Sequence, residues 1–305
     1  MYRSTIALLC ALMIFMLSGS LLAQGNSGSK QGERDDRGFT AHSEFGGSVD
    51  SSEHAMELDS NIGYNFTKHF GMNAGVPVYL VGGSSTTSTG TKTKYSTNGL
   101  GNPYVGFILK FANSSVNYNS TVKGFAPTAD TKKGLSTGRA TFDWNNRFDH
   151  AFSRLTPFAE AGIANTIVDT RYFHRPFTSL GVNTHTRGGL DIDLGNNFSV
   201  TTSAYAILPV GQQTIYSKLV PSTGGTTTGT TSNSNHGRVF QQNAVTVGSA
   251  DIARDEGLSE ALDLSPSKRF NLEIAYNRSV HYALNTISFS VEVNVGKLLK
   301  GNSAQ

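Results

Sequence analysis

From residue 38 onward the chain alternates apolar and polar side chains with a period of two, and that rhythm restricts it to β-structure. Met56, Leu58, Ile62, Tyr64 and Phe66 interleave with Glu57, Asp59, Asn61, Gly63 and Asn65. Phe70, Met72, Ala74, Val76, Val78 and Leu80 share one face of the next segment. Val105, Phe107, Leu109 and Phe111 oppose Tyr104, Gly106 and Lys110, and Ala140, Phe142, Trp144 and Phe148 oppose Arg139, Asp143, Asn145 and Arg147. Near the end, Phe270, Leu272, Ile274 and Tyr276 oppose Asn271, Glu273 and Asn277, and Ile287, Phe289, Val291, Val293 and Val295 oppose Ser288, Ser290, Glu292 and Asn294. Successive side chains of a strand point to opposite sides, so each segment has one apolar and one polar face. The helical spacing of three to four is absent after residue 37.

Twelve such segments are predicted, roughly 38–49, 54–66, 69–82, 100–112, 115–127, 137–149, 155–167, 180–194, 197–209, 255–264, 269–278 and 285–297. Most supply the 9–11 residues that a tilted strand needs to cross a bilayer. The segment 255–264 has the weakest pattern, because Leu258, Leu262 and Leu264 share a face with Glu260. Short turns follow every even-numbered segment: Thr67 to His69, Asn113-Ser114, His150 to Arg154, Leu194 to Asn197 and Ser265 to Lys268. The other connections are mostly long and polar (83–99, 128–136, 168–179 and 210–254), with 50–53 and 279–284 shorter. Short turns on one side and long loops on the other are the arrangement of an outer-membrane up-and-down barrel, with the turns in the periplasm. An even strand count places both ends of the barrel on that side.

A secreted β-sandwich or a solenoid also alternates. Against both, nearly every segment here keeps an apolar face, and Phe66, Phe70, Phe111, Tyr118, Phe148, Phe198 and Tyr276 gather near segment ends like an interfacial girdle. Composition agrees. With 37% hydrophobic and 15% charged residues and 33 Gly, the chain is too polar for a helical membrane bundle. Its charge is also below the roughly 25% of ordinary soluble domains. A net charge of +3 gives no reason to expect a nucleic-acid partner.

Residues 1–23 read as a cleaved signal peptide, with Arg3 before an apolar run from Ile6 to Leu17 and a small-residue approach to cleavage at Ala23. Residues 24–37 read as a flexible periplasmic leader, 38–297 as the barrel, and 298–305 as a polar tail. The single cysteine, Cys10, falls in the apolar run, so the mature chain is expected to lack disulfides, thiolate chemistry and Cys-ligated metal. No cofactor and no metal are expected.

If the apolar faces meet lipid, the lumen receives Glu57, Asp59, Lys110, Lys123, Arg139, Asp143, Arg147, Glu160, Arg187, Asp191, Asp193, Glu273 and Glu292. The opposite orientation would cost about 2–4 kcal/mol for each Arg or Lys at the bilayer midplane. These side chains either form a charged constriction that sets solute preference or pair with one another and stiffen a narrow barrel. Twelve strands lie between filled eight-stranded barrels and open barrels of 16–18. The loop 210–254, with TGGTTTGTTSNSNHG at 223–237, reads as solvated. The alternation from Val239 to Ile252 leaves open an inward fold, an external hairpin, or two extra strands for a total of fourteen.

The segment Ala126-Pro127-Thr128-Ala129-Asp130, followed by Gly134-Leu135-Ser136-Thr137-Gly138, resembles the PTGD…GxGxG strand-to-loop motif of a transporter-like outer-membrane family. That family is described as similar to the MetA-pathway of phenol degradation proteins. Gly99-Leu100-Gly101-Asn102-Pro103-Tyr104 similarly resembles its GLGDP strand entry. Ala129 and Asn102 replace the usual Gly and Asp, and the GNSAQ tail replaces a terminal aromatic assembly signal. The resemblance implies a barrel for uptake or export of small aromatic or hydrophobic compounds.

An enzyme of the outer-membrane lipid hydrolase type would need a His and a Ser projecting together near the lipid interface. The mature histidines (His42, His54, His69, His150, His174, His185, His236 and His281) are scattered and offer no such pair, so catalysis is not expected. The expectation is therefore a bacterial outer-membrane channel, exported through the periplasm, that passes small molecules passively. Its partners are outer-membrane lipids, the barrel assembly machinery and a small-molecule solute. A closed structural or adhesive barrel with binding loops is the alternative.

Overall fold

The computed structural model describes residues 37–86, 92–170, 172–220, 239–267, 270–282 and 284–294. The expected signal peptide, the expected leader up to residue 36, the stretch 221–238 and the expected polar tail lie outside the described residues. Among the described residues sixteen strands form: β1 (Gly38–Val49), β2 (Glu53–Asn65), β3 (Phe70–Thr86), β4 (Lys92–Leu100), β5 (Tyr104–Ala112) and β6 (Asn117–Phe125) come first. β7 (Thr141–Asp149), β8 (Leu155–Ala164), β9 (Phe177–Leu180), β10 (Asn183–Gly195) and β11 (Phe198–Pro209) follow. β12 (Gln213–Ser217), β13 (Val245–Gly248), β14 (Asp255–Ser267), β15 (Phe270–Ser279) and β16 (Leu284–Asn294) complete the order.

Twelve of these close an antiparallel barrel, each pairing with its chain neighbour in the ring, and β1 pairing with β16 seals it. Phe45, for example, faces Val291 on one side and Leu58 on the other. Closure leaves no unpaired edge at membrane depth, as a span through hydrocarbon requires. The outward residues form a belt of exposed large apolar groups, among them Leu58, Ile62, Phe107, Trp144, Leu262, Ile274 and Ile287. An apolar surface extending around the whole wall is stable only against lipid. At the turn end the rings continue edge to edge: Phe66 stacks on Phe70, His69 on Phe111, Phe111 on Tyr118, and Tyr118 packs on Phe148 with centroids 4.9 Å apart.

The weak segment resolves cleanly. In β14, Asp255, Ser259, Ala261 and Asp263 are buried, while Leu258, Glu260 and Leu262 are exposed. The leucines decide the orientation, and Glu260 is carried onto the lipid face with them.

Two connections depart from the sequence expectation. Residues 83–99, read as a polar loop, are largely strand. β3 runs on to Thr86 and its upper half pairs with β4, while only its lower half, Phe70 to Gly75, pairs with β5. Threonine-rich strand that stands above the bilayer needs no apolar face, so the alternation that marks the other strands is missing there. The loop 210–254 supplies β12 and β13, yet these join β9 in a separate three-stranded sheet, and the barrel count remains twelve.

Candidate functional site: the lumen and its inserted segment

The three-stranded sheet lies across the loop end of the barrel. Ala55, Val81 and Ile207 of the wall pack with Ile167, Phe177, Ile215, Leu219, Phe240, Ile252 and Ala253 of the loops in one buried apolar cluster. Polar ties fix it. Ser217 Oγ donates to the Phe240 carbonyl, Thr178 Oγ1 donates to the Gly134 carbonyl at 2.6 Å, and Gln213 Nε2 donates to the carbonyls of Val182 and Val210, each at 3.0 Å. The loop expected to be solvated is thus, in its described half, a packed cap.

Beneath the cap, the chain between β8 and β9 folds into the lumen. Tyr172 presents its carbonyl to two inward side chains of the wall, Asn277 Nδ2 and Ser288 Oγ, the latter donating at 2.6 Å. His174 N–H donates to Ser48 Oγ at 2.7 Å, and the imidazole packs so closely on Gly46 that a Cβ there would lie 2.8 Å from it. Arg175 reaches Asp255, and Asp169 pairs with Lys218 at 3.6 Å. Gly46, Ser48, Ser259, Ala261, Ala275 and Ser288 make this sector of the inner wall shallow, and that is why an inserted segment fits here. Burial holds the His174 imidazole below its ordinary value, against the pull of Asp169 and Glu44 in the opposite direction.

The opposite wall carries charge. Arg147 donates to Glu160 at 2.8 Å and Asp191 at 3.0 Å and also reaches Asp149 at 3.3 Å, a fork that satisfies several carboxylates at once. Its guanidinium lies 4.1 Å from the centre of the Phe158 ring. Arg187 stands between Phe158 and Tyr172 and donates to Ser203. His185 Nε2 contacts Asp143 at 2.8 Å.

Between the inserted segment and the inner face of β2, β3, β5 and β6 a chamber of about 240 Å³ remains, bounded by Glu57, Asp59, Tyr79, Tyr104, Lys123, Asp169, His174 and Lys218, with the rings of Phe125 and Phe177 beside them. Tyr104 donates its hydroxyl to Asp59 at 2.7 Å. Lys123 stands 4.8 Å from the centre of the Tyr104 ring, and Lys218 stands 4.1 Å from that of Tyr79.

The candidates from sequence therefore separate into groups. Glu57, Asp59 and Lys123 meet at the chamber. Asp143, Arg147, Glu160 and Asp191 join the ion-paired wall, with Arg187 beside them. Lys110, Asp193, Glu273 and Glu292 lie nearer the turn end, where Glu292 faces His42 at 3.5 Å, Asp193 accepts from Gly195 N–H in the turn and Glu273 is buried in β15. Arg139 is a correction. It stands exposed in the loop before β7, which begins at Thr141, so it does not line the lumen. Gly138 has a φ of +70°, and β7 begins at Thr141, four residues later than the segment 137–149 expected from the sequence.

Sequence reasoning missed Glu44, Asp169, His174, Arg175, Lys218 and Asp255. Glu44 lies on the inward face of β1 with His42, so the alternation could have supplied it. For the inserted segment the available signal was Tyr172-Phe173-His174-Arg175-Pro176-Phe177, an aromatic and basic run inside a connection otherwise read as polar. No group of three His, Cys, Asp or Glu suited to a metal occurs among the described residues.

The two motifs behind the family resemblance meet in space. Asn102 Oδ1 accepts from Ala129 N–H at 3.1 Å, and Ala126 N–H donates to the Pro103 carbonyl at 2.9 Å. Together they finish the wall above the short strands β5, β6 and β7. Asn102 accepts here as the usual Asp would.

No family model matches the chain, and no curated protein matches its sequence. Among solved structures, an outer-membrane channel from Pseudomonas putida F1 superposes with a TM-score of 0.53 at 11% identity, covering 88% of this chain and 100% of that one. The chain has the fold of an outer-membrane β-barrel. Also similar are the NanC porin, with a TM-score of 0.43, 8% identity and coverage of 83% and 98%, and the transport unit of the autotransporter AIDA-I from Escherichia coli, with 0.42, 12% and coverage of 92% and 96%.

Proposed function

We propose that this barrel resides in the bacterial outer membrane as a non-enzymatic channel for passive passage of small molecules, with the inserted segment between β8 and β9 as its constriction. The observation that carries the reading is the chamber of about 240 Å³ left between that segment and the inner face of β2, β3, β5 and β6, where a structural barrel would fill its core with side chains. The rings of Tyr79, Tyr104, Phe125 and Phe177 around it, together with the family resemblance, support small aromatic or hydrophobic compounds as solutes. Glu57, Asp59 and Lys123 are placed to set preference among them, whereas Arg147 and its carboxylates act as a brace.

Conductance of the purified barrel in planar bilayers tests this. The channel reading expects discrete steps that grow in Phe240→Ala, because Phe240 is fully buried at the centre of the cap. A folded barrel that stays silent, with and without that substitution, overturns it. The apolar cap over the loop end favours the second reading, a closed barrel whose loops do the binding, and the same silence would establish that alternative.

A further inference from the structure

The chamber offers two carboxyl groups whose hydrogen-bonding capacity is not used up. Asp59 gives one oxygen to the Tyr104 hydroxyl, and its other oxygen, Oδ1, is buried without a hydrogen-bond partner. Glu57 faces His174 Nε2 at 3.7 Å, too far for a hydrogen bond. The two sit on the same face of β2, two residues apart, with Cα atoms roughly 6.6 Å apart, so side chains of unequal length can turn toward one ammonium group that donates to each.

Of the chamber's bases, neither Lys218 nor His174 supplies that group, and Lys123 lies over the Tyr104 ring. Lys218 is committed to Asp169 and to the Arg175 carbonyl, on which its Nζ donates at 3.0 Å. His174 is pinned by its backbone to Ser48 and is held neutral by burial. The protein's own ammonium groups show how a cation is received here, since Lys218 and Lys123 each stand over a tyrosine ring. Phenol faces and carboxylates together recognise organic cations. The remaining walls, Phe125 and Phe177, suit an apolar body.

We propose that the chamber binds a small organic cation, a primary ammonium on an aromatic or alkyl body, with its head between Glu57 and Asp59 and its body against Phe125 and Phe177. The proposal names the solute class of the channel reading, but binding itself does not require the barrel to conduct.

The test is titration calorimetry on the full folded barrel in detergent with three probes of one shape: benzylammonium, benzyl alcohol and benzoate. Binding of benzylammonium, at least tenfold tighter than either other probe, is expected, because only the cation satisfies both carboxyls. Asp59→Asn and Glu57→Gln are each expected to weaken it about tenfold while heat-modifiable gel migration stays that of the folded barrel. Equal binding of benzyl alcohol, tighter binding of benzoate, no binding of any probe, or undiminished affinity in both folded variants would overturn the proposal. The comparison among probes on the unaltered protein needs no variant to fold. A barrel that binds benzylammonium yet stays silent in bilayers would refute the channel reading and leave this one standing.

Discussion

Arg147 is the residue whose removal best separates a brace from a selectivity filter. It reaches Glu160 at 2.8 Å, Asp191 at 3.0 Å and Asp149 at 3.3 Å, so Arg147→Gln leaves three carboxylates converging on a neutral amide. Two hydrogen bonds to charged groups would be worth about 1.5–3 kcal/mol each in a dry site. The guanidinium is 28% exposed, so water recovers part of that, and the net loss is about 2–3 kcal/mol. Trp144, the only tryptophan in the chain, is three residues away on the same strand, facing lipid and donating to Ser120 Oγ at 3.0 Å. Its emission reports the unfolding of this wall during urea titration of the barrel in vesicles. Adding Glu160→Gln to Arg147→Gln removes one of the uncompensated charges and is expected to restore about 1 kcal/mol of the loss. Arg139→Gln serves as the control, because that side chain is exposed outside the wall. A loss below about 0.5 kcal/mol in Arg147→Gln, the scale of an exposed pair, or a further drop in the double variant would refute the brace.

His174 gives a pH dependence with a definite sign. Its folded-state value lies below the unfolded one, so the neutral imidazole stabilises the inserted segment fully above about pH 6.5, and that stability is lost as pH falls toward the lower folded value. Relative to His174→Gln, the natural barrel should therefore lose up to about 1.4 kcal/mol per pH unit on acidification through that window, read as the difference between their urea midpoints at each pH; parallel curves would contradict it. At the cap, Gly134 has a φ of +68° and any Cβ would fall 2.0 Å from the Ser217 carbonyl oxygen. Gly134→Ala should weaken the cap by about 1–3 kcal/mol and speed protease cleavage in the loops several-fold while the barrel survives, and an unchanged cleavage rate would show that this contact does not hold the cap.

The barrel was legible because lipid and water meet its two faces separately, which makes the period of two an energetic requirement in every membrane-spanning strand. Leu258 and Leu262 outweigh Glu260 for the same reason: two large apolar groups gain more from the lipid face than one carboxylate loses near it, and a carboxylate there costs less than an Arg or Lys would. Where the chain leaves the bilayer that requirement ends. The pairing of β3 with β4 above the wall, and the exit of Arg139 from β7, are fixed by turns and local hydrogen bonds, which leave no periodic trace in the sequence.

The lumen was legible as a list of charges and not as an arrangement, because alternation says which side a residue faces and nothing about what crosses the interior to meet it. Glu57 and Asp59 could be placed inward from β2 alone. That they border a chamber depends on Asp169 and His174, which arrive from a connection between other strands, and on the small side chains at Gly46, Ser48, Ala261, Ala275 and Ser288 that give the connection room. Small inward residues on one sector opposite large charged ones on the other are themselves a readable sequence signal. A barrel with equal lining all round has no reason to admit a segment on one side, whereas a shallow sector exposes wall donors such as Asn277 and Ser288, which bond each other and have further donor capacity for a backbone carbonyl that reaches them. Tyr172 supplies that carbonyl, and the asymmetry of the wall is therefore what turns a filled interior into one with a constriction and a chamber.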